Sequence, residues 1–209
     1  MSIAEISKTP DAPSKARERL LAVAYELFSR RGIRAVGVDT IIEQAGVAKM
    51  TFYRHFPTKD DLVLAFLRRR EELWTRRWLE DDVKRRASTP GERLLAIFDV
   101  FHEWFQRDDF EGCSFINVLL EMVDQGHAAR QASIVHLANI RLFLRELADE
   151  IGVIEPDDFA RKWHVLMKGS IVAAGEGDRL AARRAREVGK LLLDAEVDTA
   201  RKSPSGGEH

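Results

Sequence analysis

An all-α fold, with a small N-terminal head and a larger helical body, is what this sequence predicts, and three observations carry the prediction. Apolar residues recur at three- and four-residue intervals along nearly the whole chain, the period of an amphipathic helix. The prolines, at 10, 13, 57, 90, 156 and 204, stand at joints and interrupt none of the periodic stretches. No stretch alternates with the period of two that a half-buried strand requires, and no internal repeat is present.

The helices follow in order from their caps. Ser14 precedes a first helix whose Leu20, Ala24, Leu27 and Phe28 share one face and which ends near Gly32. A second, short helix runs from about Asp39 to Ala45, with Thr40 and Glu43 at capping-box spacing. Gly46 supplies a turn, because it tolerates positive φ. A third helix covers about Ala48 to Phe56, and Thr58 caps a long fourth that extends to about Arg86. Thr89-Pro90-Gly91-Glu92 is the sharpest boundary, with a hydroxyl at N-cap, Pro at N1 and a carboxylate at N3. The helix after it carries Leu94, Ile97, Phe98, Phe101 and Phe105, apolar enough for the middle of a bundle. Further helices hold Phe115 to Met122, Leu137 to Ile151, a stretch opened by Pro156-Asp157-Asp158, and about Asp178 to Val197. The expected total is nine helices. Residues 1–13 and 201–209 are expected to be disordered, with a head at 14–58 and a body at 59–200.

Composition narrows the function classes. Apolar residues are 45% and charged residues 32% of the 209, ordinary for a globular protein with a real core. No run of about eighteen apolar residues and no secretory signal is present, so a cytoplasmic location without membrane contact is expected. The single cysteine, Cys113, excludes an internal disulfide framework, and no Cys/His spacing suits zinc. Neither a metal nor a cofactor is expected. The net charge of −1 conceals an asymmetry: residues 14–56 hold eight Lys/Arg against four acids, which leaves the remainder acidic. A basic head directs phosphate attraction to one end.

Within Gly32 to Leu62, two short helices joined by a Gly turn form a helix-turn-helix pattern, whose second helix enters the major groove of DNA. Phe52 and Phe56 are four apart and face inward together. Met50, Thr51, Tyr53 and Arg54 are then left on the opposite side, with Lys49 at the N-terminal tip, where backbone N–H groups favour phosphate. Hydroxyl, phenol, guanidinium and ammonium groups on one surface suit phosphate and base-edge contacts.

The run Gly46-Val47-Ala48-Lys49-Met50-Thr51-Phe52-Tyr53-Arg54-His55-Phe56-Pro57-Thr58-Lys59-Asp60-Asp61-Leu62, with Ala22, Tyr25, Leu27, Phe28 and Gly32 upstream, resembles the signature of TetR/AcrR-type regulators over about residues 15–65. The resemblance implies a transcriptional repressor, not an enzyme. It implies a homodimer that binds a double-stranded, palindromic DNA operator and is released by a small molecule. It also implies DNA contacts by Lys49, Met50, Thr51, Tyr53, Arg54 and His55, and a phosphate contact by Lys59. Three departures bear on operator choice. Ala48 replaces a frequent Ser and so lacks an N-cap hydroxyl worth about 0.5–2 kcal/mol. Met50 replaces a frequent Gly, and Val36-Gly37 replaces frequent threonines.

In the body, Phe101, Trp104, Phe105, Met122, Trp163 and Met167 come from separate helices that could enclose a mostly apolar effector. Cys113 and Asn117 join them from the segment Phe110–Asn117, with His136 and His164 as further polar anchors. Ala181, Ala185, Val188, Leu192 and Ala195 follow a 4-3-4-3 spacing, read as a dimer seam, and Gly169, Ser170, Ala173 and Ala174 permit close approach. A dimer would hold two reading helices about 34–36 Å apart, with the long fourth helix as lever. Two alternatives stay open at this point: a regulator responding through the Cys113 thiol, and a helical interaction protein without DNA binding.

Overall fold

The computed structural model describes residues 14–202, and every regular element among them is helical. The expectation for residues 1–13, and for 203–209 of the tail, lies outside the described residues. The helices are α1 (Lys15–Arg31), α2 (Val38–Ala45), α3 (Lys49–His55), α4 (Lys59–Arg70), a π-helical stretch Glu71–Glu80, α5 (Asp81–Arg86), α6 (Pro90–Phe105), α7 (Ser114–Glu121), α8 (Ala128–Glu150), α9 (Pro156–Gly175) and α10 (Ala181–Lys202). Residues 59–86 wind without a break, so nine separate helices result among the described residues, as the sequence predicts. The chain divides into two compact units between Phe66 and Leu67.

The first unit closes around Leu20, Ala24, Leu27 and Phe28 of α1, Ile41 of α2, Phe52 of α3, Phe56 after it, and Leu62 and Phe66 of α4, all buried. Phe66 meets Tyr25 and Phe28 edge-on, each at 5.5 Å between centroids. Ser14 caps α1 by accepting from the Arg17 N–H. Thr58 and Asp61 cap α4 reciprocally: the Asp61 N–H donates to Thr58 Oγ1 (3.1 Å) and the Thr58 N–H to Asp61 Oδ2 (2.9 Å). The box expected at Thr40 and Glu43 does not form. With Val36 buried, Gly37 takes the extended N-cap conformation and α2 starts at Val38, which places Thr40 inside the helix. Gly46 has φ 61°, the left-handed conformation that the turn requires, and its N–H closes α2 on Ile42 and Glu43.

In the second unit the Thr89/Glu92 capping box forms in both directions. α6 buries Leu94, Ile97, Phe98, Phe101, Trp104 and Phe105, together with Ala96 and Val100, consistent with a central position. α8 opens on an N-cap that the sequence reading missed, His127, whose Nδ1 accepts from the Ala129 N–H at 3.2 Å. The π-helical stretch was also unforeseen. The Asp81 N–H reaches the Arg76 carbonyl five residues back, and Thr75, Leu79 and Val83 are buried at intervals of four. The expected dimer seam divides. Ala181 and Ala185 pack inward within the chain with Ala182, Gly189 and Leu193, while Val188 and Ala195 face outward. At Gly189 an added Cβ would stand 3.0 Å from Trp163 and 3.1 Å from Phe98, so this position lets α10 lie directly on two buried rings. Among the described residues no helix is long and apolar enough to cross a membrane.

Candidate nucleic-acid interface and the interior of the body

The α3 helix is short, and the side it buries fixes the side it offers. Phe52 is fully buried and Phe56 nearly so, 6.1 Å apart by ring centroid. With that face committed, Met50 is 81% and Tyr53 42% exposed, and Lys49 and Arg54 are exposed beside them. The Tyr53 ring is held edge-on against Phe52 at 5.2 Å, so it is an anchored surface group and not a free one. Ala48 occupies the N-cap with no side-chain hydrogen bond, while the Thr51 N–H already turns back to the Ala48 carbonyl at 2.9 Å.

The other expected contacts sit at the margins. Thr51 and His55 are half-buried, and His55 Nε2 lies 3.0 Å from Ser14 Oγ, tying the end of α3 to the start of α1. The Arg17 guanidinium lies over the Phe56 ring at 5.1 Å, a second tie between the same helices. Lys59 turns partly inward: its ammonium donates to the Ile33 carbonyl at 2.6 Å and lies 6.0 Å from the Phe28 ring centroid. Lys49 pairs with Asp39 of α2 at 3.3 Å. No local spacing rule links residues ten apart on different helices, so the sequence gives no signal for Asp39 or for Ser14 and Arg17 as partners.

The body residues singled out from sequence fall into groups. Phe101, Trp104 and Phe105 pack with Trp74, Trp78 and Phe110, neighbouring rings 4.8–6.0 Å apart, so these rings fill one another's space. Trp163 stands apart from that cluster, stacked on Phe159 at 5.3 Å and against Phe98 at 5.5 Å. His136 stacks on Phe115, and its Nδ1 lies 2.7 Å from Glu71 Oε2. Met122 and Met167 are buried.

A cleft of about 390 Å³ lies between the Phe110–Asn117 segment and the C-terminal turns of α9. Cys113, Ile116, Leu120, Ile171, Val172 and Ala174 supply its apolar wall. Asn117 is at its polar edge, exposed, with Nδ2 donating to the Glu111 carbonyl at 3.2 Å. Burial pushes the Cys113 thiol above its ordinary value, against formation of a reactive thiolate. His164 is buried, and desolvation, aided by the charges of Lys168 and Arg141, lowers its pKa to about 3. Among the described residues no group of three His, Cys, Asp or Glu is placed to hold a metal ion.

Comparison with known proteins accords with this geometry. Residues 20–66 match the family of bacterial regulatory proteins, tetR family, a span that contains α2, α3 and the Gly46 turn. The chain is 23% identical over 189 residues to the HTH-type transcriptional regulator YjdC of Escherichia coli, covering 89% of this chain and 90% of that protein. It is 31% identical over 90 residues to the HTH-type transcriptional repressor KstR2 of Mycolicibacterium smegmatis, 43% of each. A solved structure from Streptomyces avermitilis, described as a TetR-type transcriptional regulator, superposes with a TM-score of 0.78 at 32% identity, over 88% of this chain and 98% of that one. A helix-turn-helix that buries its aromatic side, followed by a helical body matched over nearly its full length, places the chain in the TetR family of transcriptional regulators.

Proposed function

We propose that the protein is a homodimeric repressor that reads a palindromic operator through α3 and lets go of it when a small, mostly apolar molecule occupies the body. The observation that carries the reading is the division of α3, with Phe52 and Phe56 inside and Lys49, Met50, Tyr53 and Arg54 outside. A buried aromatic side holds the helix rigid, and a polar outer side suits phosphate and base-edge contacts. Thr51 and His55 would contribute from the margin, and Lys59 on exchanging the Ile33 carbonyl for a phosphate. The repressor polarity is the one named for KstR2.

Dimerisation accounts for apolar side chains that the protomer leaves in water. Val165 and Val172 of α9, and Val188 and Leu191 of α10, are 65, 52, 49 and 70% exposed. Gly169, between the two valines, has open space around it. Two copies joined through these helices would set the heads at half-site spacing, and a ligand preferring another spacing would weaken operator binding. The cleft by Cys113 and Asn117 is the entry favoured for that ligand, in a cytoplasmic protein. The raised thiol pKa of Cys113 speaks for a wall residue and against a redox sensor.

A mobility-shift titration with the intergenic DNA upstream of the coding sequence, at fixed salt, tests the reading. Tyr53→Ala or Arg54→Ala should each weaken specific binding by at least ~1 kcal/mol, about fivefold. Unchanged affinity for both variants would remove α3 from the interface.

A further inference from the structure

The stripe His164, Lys168, Ile171 and Gly175 runs along one side of α9 at helical spacing and ends in the cleft by Cys113. Of its upper half, His164 is neutral and Lys168 carries the charge. Lys168 is half-buried, and neither it nor Arg141 of α8 has a carboxylate partner among the described residues. Arg141 spends one N–H on the Leu137 carbonyl at 3.2 Å. One turn before Lys168, the buried His164 Nδ1 has no hydrogen-bond partner. His164 is 3% exposed. Every charged group that shifts His164 or Arg141 is a cation, and the same holds for Lys168 apart from the Cys113 thiol. Like charges drawn partly out of water without an anion are costly, and buried polar groups are normally paired.

We propose that this part of the body binds an organic anion, with its apolar portion in the Cys113–Ile171 cleft and its carboxylate against Lys168 and Arg141. Cys113, Ile116, Leu120, Ile171, Val172 and Ala174 make most of the cleft wall apolar, with Glu111 and Asn117 also lining it, and its volume of about 390 Å³ matches a small ligand. Lys168 lies on α9 one turn before Ile171, just outside the residues that line the cleft. Arg141 and Lys168 supply charge-assisted hydrogen bonds to the carboxylate, and His164 is the neighbouring donor. The inference rests on the reading of the body as effector-binding and narrows the effector to one carrying a negative charge.

Binding is measured on the full-length protein without DNA, by tryptophan fluorescence and thermal shift. Benzoate and octanoate are the probes, with benzamide and octanamide as neutral counterparts. At least one carboxylate should bind tenfold or more tightly than its amide. Lys168→Met and Arg141→Met should each abolish that preference while the free protein's Tm stays within a few degrees, and Lys168→Arg should keep it. Equal binding of acid and amide in both pairs, absence of binding by either acid, or an undiminished preference in both Met variants overturns the inference. Operator release is scored separately. A carboxylate that binds without releasing operator leaves the anion site standing and defeats the release reading. Amides that release operator as well as the acids do the reverse.

Discussion

Lys49 and Asp39 form an ion pair across the turn between α2 and α3, Nζ to Oδ1 at 3.3 Å. Asp39 lies in the first turn of α2, where a carboxylate is favoured by the helix dipole; Lys49 opens α3, where an ammonium is not. Both side chains are largely exposed, at 85 and 63%, so the pair adds at most about 1 kcal/mol to stability. Its weight falls on binding, because a phosphate reaching Lys49 must displace Asp39.

Asp39→Asn is therefore expected to leave Tm nearly unchanged and to tighten binding to a non-operator duplex by about two- to fivefold at low salt, the equivalent of ~0.4–1 kcal/mol. Fluorescence anisotropy across a salt series measures it, and the gain should shrink as salt rises. Weaker binding by the variant would mean that Asp39 itself serves the interface.

Gly189 predicts the opposite of the usual rule for helices. Gly→Ala inside a helix ordinarily stabilises by up to about 1 kcal/mol. Here the new methyl would meet Trp163 and Phe98 at 3.0 and 3.1 Å, and both rings are at most 1% exposed with little room to retreat. Gly189→Ala should destabilise by about 1–3 kcal/mol in urea unfolding. Gly169→Ala, where nothing stands within 4 Å, is the control and should be neutral or better in the protomer. Similar effects at the two sites would contradict the tight approach of α10.

The contrast between these glycines shows what was legible in the sequence. Gly46 declared its turn because a left-handed residue between two short periodic segments has a local signature. The Phe52/Phe56 pair likewise declared which side of α3 is outward. Gly189 had no such signature, since its reason is a Trp on another helix. For the same cause the 4-3-4-3 pattern of α10 looks like one seam in the sequence, although Ala181 and Ala185 serve the chain's own packing. Long-range partners also account for Lys59 lying on the Ile33 carbonyl and for His136 meeting Glu71. Periodicity reports which residues are apolar on a face, not what lies opposite.

Leu191 is the position to test for the dimer. It is 70% exposed in the protomer, so Leu191→Arg costs the folded chain little. Placed in a homodimer interface, two copies of the new charge would be desolvated near each other. Small-angle scattering should then report a monomer with unchanged far-UV circular dichroism, together with a large loss of affinity for a two-half-site operator. A dimer of wild-type mass would move the interface off this face of α10.

His164 makes stability depend on pH in a defined window. Its pKa in the folded chain is about 3, against about 6.5 for an ordinary histidine. Burial is the first cause, with Lys168 and Arg141 adding to it. Between those values the unfolded chain takes up a proton that the folded chain refuses, so acid favours unfolding. The stability this ring withholds from the charged form is complete above about pH 6.5 and declines below it. From one such group the decline approaches about 1.4 kcal/mol per pH unit, roughly 2 kcal/mol between pH 6.5 and 5. Urea midpoints at pH 7, 6 and 5 for wild type and His164→Asn separate this share from that of the carboxylates, which is common to both. The variant, whatever its stability at pH 7, should lose less on acidification. Parallel losses would show that the folded chain protonates His164 as readily as the unfolded one, and that the ring is not held neutral among the cations of α8 and α9.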